Sequence, residues 1–477
     1  MVEASTIEQR TDDHALEAVP DSQRQNWLQI TWSTAGIVTT LIQLFIGALV
    51  TFVAGIKIGL MAGILVTICG ALIGWGAGHI AYRTGLSSSF MSRAHGFGVR
   101  GSVILALVFG FMIIGFLAVE NALLYKGFLF YLNLPDTMGS RIIIYGILTI
   151  AWILLTAYGF NMVTKVSSIA LIGFLLVLLY MVIDVIATSG QSWGSVLQFG
   201  AQLPPEALKA MGADTDAGKF AFAVNVLIGS AGALALVDAD LGRYARTSRD
   251  IGIAALLGNV AMDIVMLVVG GIVMYAGMGQ IVDYHVTVGG MTHEAAQAMA
   301  LQSPDSIAAA FIIFGGIIGT ILMIFAQSKA QVLNTYSASL SLTSLFDALF
   351  SWRPGRLLFV IVANIIGCIM LVGSILEWFN SFLTVLGVLT TCFAGIMISD
   401  FFIVKRILRS RGEVETSVPE INWAGIITLV VAFVLAHYVL NKYISIEFFT
   451  SLPICIILYP ILRLPALKKG AVTRQAA

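Results

Sequence analysis

Charge is what this sequence has least of. Only 11% of its 477 residues are Asp, Glu, Lys or Arg, while 58% are hydrophobic. Soluble chains carry about a quarter charged residues, so a water-soluble globular fold is excluded. Proline is scarce inside the apolar runs: of ten prolines, none falls within the first eleven candidate spans. Helix breaks there must come from glycine, serine and threonine. The four cysteines, Cys69, Cys368, Cys392 and Cys455, sit in apolar stretches without paired spacing, which reads as small core residues rather than disulfides or metal ligands. No HExxH, nucleophile elbow, phosphate-cradling glycine loop or Cys/His cluster is present, so the expectation is a protein that is not an enzyme and needs no cofactor or metal. No nucleic-acid partner is expected.

What is present is apolar sequence in runs long enough to cross a bilayer. Twelve spans are expected, near 31–54, 59–82, 102–131, 142–160, 168–188, 219–237, 251–276, 306–345, 357–375, 379–404, 423–441 and 446–463. The polar start lacks an apolar core and reads as a cytoplasmic tail over 1–30 rather than a signal peptide. With that end inside, nineteen basic residues fall in cytoplasmic segments and six outside, Lys329 being left in the membrane. The positive-inside rule then places both termini, including the tail 464–477, in the cytoplasm of a cell membrane protein. The outer loops 189–217 and 277–305 read as short surface helices.

Two small-residue clusters mark candidate helix breaks: "STAGIVTT" (33–40) in the first span and "GSAGA" (229–233) in the sixth. They correspond if 31–188 and 219–404 are inverted repeats, with 423–463 as two additional helices. Matched interruptions point to a transporter's midplane site, although small residues also serve close helix packing.

Polar residues at membrane depth are costly and need partners or a wet cavity. Glu120 lies four residues after Phe116, on the same helix face. It reads as an acceptor for a substrate N–H edge or as a proton carrier, the alternative being a structural partner for a helix backbone or a basic residue. Asp263 reads as a proton carrier, as a counter-charge to Lys329 or as a residue of an outward polar cavity. Asp238, Asp240 and Arg243 read as a charged gate or anchor, His79 as an interhelical hydrogen-bonder and Asp400 as an interfacial cap. In "FAQSKAQVLNTYSAS" (325–339), Lys329 stands among the amides Gln327, Gln331 and Asn334.

Four stretches, "YRTGLSSSFMSRAHGFGVRGS" (82–102), "DADLGRYAR" (238–246), "NTYSASLSL" (334–342) and "FAGIMISDFFIVKR" (393–406), resemble the nucleobase–cation symporters, the cytosine, hydantoin and purine–cytosine permeases. "INWAGI" (421–426) adds a weaker match. The resemblance implies an all-α polytopic membrane protein of twelve transmembrane helices, a LeuT-like five-plus-five inverted repeat plus two C-terminal helices. It lays the family's stacking aromatic of helix 3 on Phe116 and a nearby amide on Glu120. The aromatic of its broken helix 6 falls on Ala231, beside Gly229 and Ser230. Its substrate-facing amides fall at or beside Gln331 and Asn334. Its sodium site would use the carbonyls of Gly36, Thr39 and Ala326, with two hydroxyl positions occupied here by Lys329 and Ala330. An ammonium has donors only and cannot ligate sodium. Lys329 then stands in for the ion, unless a one-residue shift puts Ser328 there.

The reading is a secondary active permease importing a nucleobase or related nitrogen heterocycle by alternating access, with the proton rather than sodium as driving ion and Glu120 or Asp263 as its carrier. The alternative is a carrier of the same fold for a vitamin, a hydantoin- or allantoin-like compound or an amino acid.

Overall fold

A chain segment in hydrocarbon must satisfy its backbone within itself, which leaves helices as the means of crossing. The computed structural model describes residues 17–132, 134–158, 160–287, 289–302, 307–373, 375, 379–415, 417–468 and 472–474. Helices α1 (Trp27–Val38) and α2 (Leu41–Ala54) form one span bent by 63°. Next come α3 (Ile56–Thr84), α4 (Ser102–Leu132), α5 (Met138–Tyr158) and α6 (Phe160–Thr188). The second half holds α7 (Asp216–Gly242), α8 (Ser248–Ala276), α9 (Ile307–Phe350, kinked at Gly316), α10 (Arg356–Val372) and α11 (Phe379–Ser399). Helices α12 (Trp423–Val434) and α13 (Phe448–Lys468) close the order. A three-residue strand pair, Glu413–Glu415 with Val472–Arg474, joins the segment after α11 to the C-terminal end.

Among the described residues ten helices are long and apolar enough to span, eleven with the bent pair. The span expected at 357–375 is α10, which at 17 residues falls short of that length, so the count of twelve is not reached by this measure. Lipid-facing side chains run along the outer helices: Leu72, Ile142, Leu176, Ile318 and Ile457 each leave 62–67% of their surface uncovered.

The first expected break is present. Thr39 (φ −97°, ψ 69°) and Thr40 (φ −132°, ψ 170°) leave the helical region between α1 and α2. Thr39 Oγ1 donates to the Ala35 carbonyl at 2.6 Å, and the freed Leu41 N–H donates to Gln327 Oε1 on α9 at 3.4 Å. A side chain from another helix thus meets a backbone group that the break exposes. The second expected break is absent: α7 is one uninterrupted helix through Gly229–Ala233. Its glycines admit α11 instead. A Cβ on Gly229 would stand 2.6 Å from the Leu383 carbonyl oxygen, and one on Gly232 would stand 2.3 Å from Thr390 Oγ1. Backbone yields little, so Gly229→Ala is expected to destabilise the fold by about 1–3 kcal/mol. The check is the thermal-unfolding midpoint in detergent, which should fall.

Helices α7 and α8 lie along α3, and α8 also meets α1; α9 lies along α4 and α6, with α10 on α4. The broken span sits between these two groups, and α12 and α13 brace α11. The stretches that carried the resemblance meet at one end of the bundle. Asn422 N–H donates to the Phe97 carbonyl at 2.8 Å, and Arg100 N–H to that of Glu420 at 2.7 Å. Asp400 is buried there, accepting from Tyr459 Oη at 2.7 Å and lying 3.1 Å from His95 Nδ1 and 3.7 Å from Lys405 Nζ. It is the centre of a network rather than an interfacial cap. Gly96 (φ 109°) and Gly98 (φ 82°) turn the chain into this contact through conformations that side chains resist.

Candidate substrate and cation site

Glu120 faces inward from α4 and is 2% exposed. Its Oε2 accepts from Gln327 Nε2 at 2.7 Å, and Gln327 Oε1 takes the Leu41 N–H. One amide therefore ties the carboxylate to the first turn after the break. One turn before Glu120, Phe116 meets the edge of Phe382 from α11, with ring centres 6.3 Å apart and planes at 83°. Phe116, Glu120, Ser230 and Asn334 line a common cavity of about 40 Å³, bounded also by Gln43, Val237 and Met262. That volume holds on the order of one to three waters, so a planar heterocycle enters only as side chains move aside.

The remaining expected contacts lie elsewhere. Ala231 turns its Cβ toward Gly70 of α3 and not toward the cavity, where α7 presents Ser230, Ala233, Leu234 and Val237. Helical geometry rotates successive side chains by about 100°, so neighbours face different helices. Gly229 is occupied by the approach of α11 and, in an unbroken helix, offers no free backbone group. Gln331 is fully buried against α4, donating to Asn121 Oδ1 at 2.8 Å and to the Leu117 carbonyl at 3.1 Å. Asn121 also accepts from Trp152 Nε1 at 2.7 Å. Gln331 reaches the cavity only through Asn334 Nδ2, which lies 3.5 Å from its Oε1.

Gln43 was not foreseen. It exchanges hydrogen bonds with Ser230, Nε2 to Oγ at 3.0 Å and Oγ to Oε1 at 3.2 Å, and so links α2 to α7 at the cavity wall. Its position two residues beyond Leu41, in the first turn of the second half-helix, was the available signal. Gln327 stood in the same stretch as Lys329, but nothing local distinguished it from Gln331.

Lys329 crosses from α9 to α1 and is 3% exposed. Its arm lies over Gly36, where an added Cβ would sit 2.3 Å from Nζ, and Nζ donates to the Trp32 carbonyl at 3.4 Å. The ammonium thus occupies the α1–α9 interface at the expected glycine, reaching a carbonyl one turn earlier than Gly36. Ala330 is buried beside it, and the Ala326 side chain lies outside the described residues. Asp263 is no counter-charge. Neither of its oxygens has a hydrogen-bond partner, it makes no ion pair among the described residues, and it sits in a π turn of α8 whose backbone presses on Gly63 of α3.

The charged end of α7 resolves into two parts. Asp240 accepts from the Ser88 N–H at 2.7 Å, and Arg243 donates to Tyr336 Oη on α9 at 2.9 Å. Nearby, Arg93 pairs with Asp347 of α9 at 2.8 Å. The Arg243–Tyr336 bond joins α7 to α9 across the two helix groups, and the other two contacts tie the segment before α4 to α7 and to α9. Asp238 takes no part in them. His79 meets Ser248 Oγ at 2.7 Å, the interhelical bond expected of it.

Solved structures share this architecture. The bromovinylhydantoin-bound, closed form of Mhp1, a nucleobase-cation-symport-1 family transporter, aligns over 96% of both chains with a TM-score of 0.70 at 17% identity. Its inward-facing form aligns over 94% of this chain and 93% of that one, at 0.68 and 18%. A Na⁺-coupled sialic acid symporter aligns over 98% and 95%, at 0.56 and 12%. No curated protein matches significantly in sequence. The family profile described as "Permease for cytosine/purines, uracil, thiamine, allantoin" covers residues 19–452, and the chain belongs to that family of transporters.

Proposed function

We propose that this permease imports a nucleobase or closely related nitrogen heterocycle together with a proton, without sodium, by alternating access. The observation that carries the ion assignment is Lys329 over Gly36. A tethered ammonium at the α1–α9 interface supplies the positive charge that a bound cation would otherwise bring, and it repels one. The substrate class rests on the cavity: one aromatic face at Phe116, one carboxylate at Glu120 and the polar ends of Ser230 and Asn334. An aromatic stacks on a planar ring, and an acceptor suits a ring edge rich in N–H groups. An amino acid fits less well. Such carriers seat the carboxylate on free N–H groups at the first helix break, and here the Leu41 N–H is engaged by Gln327.

The test is a thermal-shift screen of purified protein against purine and pyrimidine bases, hydantoins, allantoin, thiamine and amino acids. A ligand at a hundred times its Kd adds about 2.7 kcal/mol of stability. Stabilisation by a base and not by the others is the expected result. Stabilisation by an amino acid alone would overturn the substrate assignment.

A further inference from the structure

Away from the cavity, α7 and α8 place a second polar group against the glycine face of α3. A Cβ on Gly74 would stand 2.4 Å from Asp238 Oδ2, and one on Gly70, a turn earlier, would stand 2.2 Å from Asn259 Oδ1. Side chains one turn apart are roughly 5–6 Å apart at Cβ, so these oxygens share one small patch of α3. Asp238 and Asn259 are both fully buried. Asp238 Oδ1 and Oδ2 and Asn259 Oδ1 have no hydrogen-bond partner among the described residues. Asn259 Nδ2 is already committed to the Ala255 carbonyl at 2.8 Å. The patch therefore offers three unpartnered acceptor oxygens, while its nearby donors, Asn259 Nδ2 and Thr67 Oγ1, are committed to the backbone carbonyls of Ala255 and Asn259.

We infer that Asp238 and Asn259 form a proton-carrying site separate from the substrate cavity, with the carboxyl of Asp238 holding the proton and the amide oxygen of Asn259 accepting its hydrogen bond. The chemistry follows from hydrogen-bond inventory. Buried acceptors without donors cost about 1–3 kcal/mol each, and more when charged. One proton on Asp238 removes the charge and creates the missing donor. A single O–H bond forms when the proton enters from one side of the membrane and breaks when it leaves to the other.

Among the described residues no ion pair engages Asp238. On α7, Asp240 is held by Ser88 and Arg243 by Tyr336. On α3, His79 is held by Ser248, and Arg83 lies exposed near the helix end. On α8, Asp263 stands one turn beyond Asn259 and is likewise unpartnered, an extension of the same face rather than a counter-ion. Just past α11, the acid Asp400 is engaged by His95, Lys405 and Tyr459. Helices α1 and α2 carry no charged residue. Val237, next to Asp238, lines the substrate cavity, so a movement of α7 that admits substrate also moves the acid.

The inference deepens the proton-coupled reading and rests on it, so the experiment separates the two. Proteoliposomes are given a mixture of labelled adenine, guanine, cytosine and uracil with an inwardly directed pH gradient. Wild type should accumulate label. Asp238→Asn should still exchange it across the membrane without a gradient while accumulation falls to the equilibrium level. Accumulation by Asp238→Asn equal to wild type would overturn the site and leave proton coupling standing. Indifference of wild type to the gradient would overturn both. Infrared difference spectroscopy between acidic and alkaline buffer reads the site without substrate: the C=O band of a protonated carboxylic acid should be present in wild type and reduced in Asp238→Asn. An unchanged band would also overturn the assignment. Should Asp238→Asn fail to fold, Asn259→Ala serves. It removes the acceptor of the acid form, so gradient-driven uptake should require a more acidic exterior, and an unmoved pH profile would overturn the pairing.

Discussion

Lys329→Ala should cut concentrative uptake by roughly one to two orders of magnitude while leaving a folded protein. The ammonium at the α1–α9 interface is replaced by a methyl group, and the Trp32 carbonyl loses the charged donor that it has beyond the helix's own N–H. Hydrogen bonds to charged groups are worth about 1.5–3 kcal/mol net, which converts to a roughly 10- to 150-fold loss if the contact is made in only one conformational state. Uptake by wild type should persist in sodium-free buffer and respond to a pH gradient. Lys329→Ser combined with Ala330→Thr would restore two hydroxyl oxygens at this place, and any sodium dependence should be sought in that pair. The decisive measurement is initial uptake rate against sodium concentration. A wild-type rate that vanishes without sodium would show that the lysine does not replace the ion.

Glu120 should give the largest effect on binding. Glu120→Ala leaves both the ligand's N–H edge and Gln327 Nε2 without an acceptor in a buried site, at about 1–3 kcal/mol for each unmet group. Affinity should fall by roughly 10- to 100-fold or more. Glu120→Gln keeps one carbonyl oxygen, so a loss of about 1 kcal/mol, roughly fivefold, is expected. Calorimetric titration with the base that stabilises the protein distinguishes the two. Equal affinity in both variants would remove Glu120 from the ligand's contacts. Retained binding in Glu120→Gln with failed gradient-driven accumulation would instead give Glu120 the proton assigned above to Asp238.

Four of the residues expected to contact substrate, Phe116, Glu120, Ser230 and Asn334, line one cavity. They were legible because a polar or aromatic residue at membrane depth must face protein, and spacing of three or four groups such residues on one face. Ala231 was misplaced because a one-residue difference in register rotates a side chain from the cavity to α3, and nothing in "GSAGA" specifies the rotation. The same motif misled on the break. Glycine weakens a helix and also permits close packing, and the choice here was made by the backbone of α11, some 150 residues further along the chain.

The sequence by itself determined that this is a helical membrane protein with polar groups held at depth. Those properties follow from composition and from local spacing, because hydrophobic transfer and backbone hydrogen bonding act on each segment almost independently of the rest. Only the tertiary structure decided which polar groups share a site. Gln327 and Glu120 are 207 positions apart, and Lys329 and Trp32 are 297 apart. Such pairs exist only once helix rotation, crossing and depth are set by packing. The unsatisfied oxygens of Asp238 and Asn259 become visible only then, since being unpartnered depends on every neighbour that a buried group could have had.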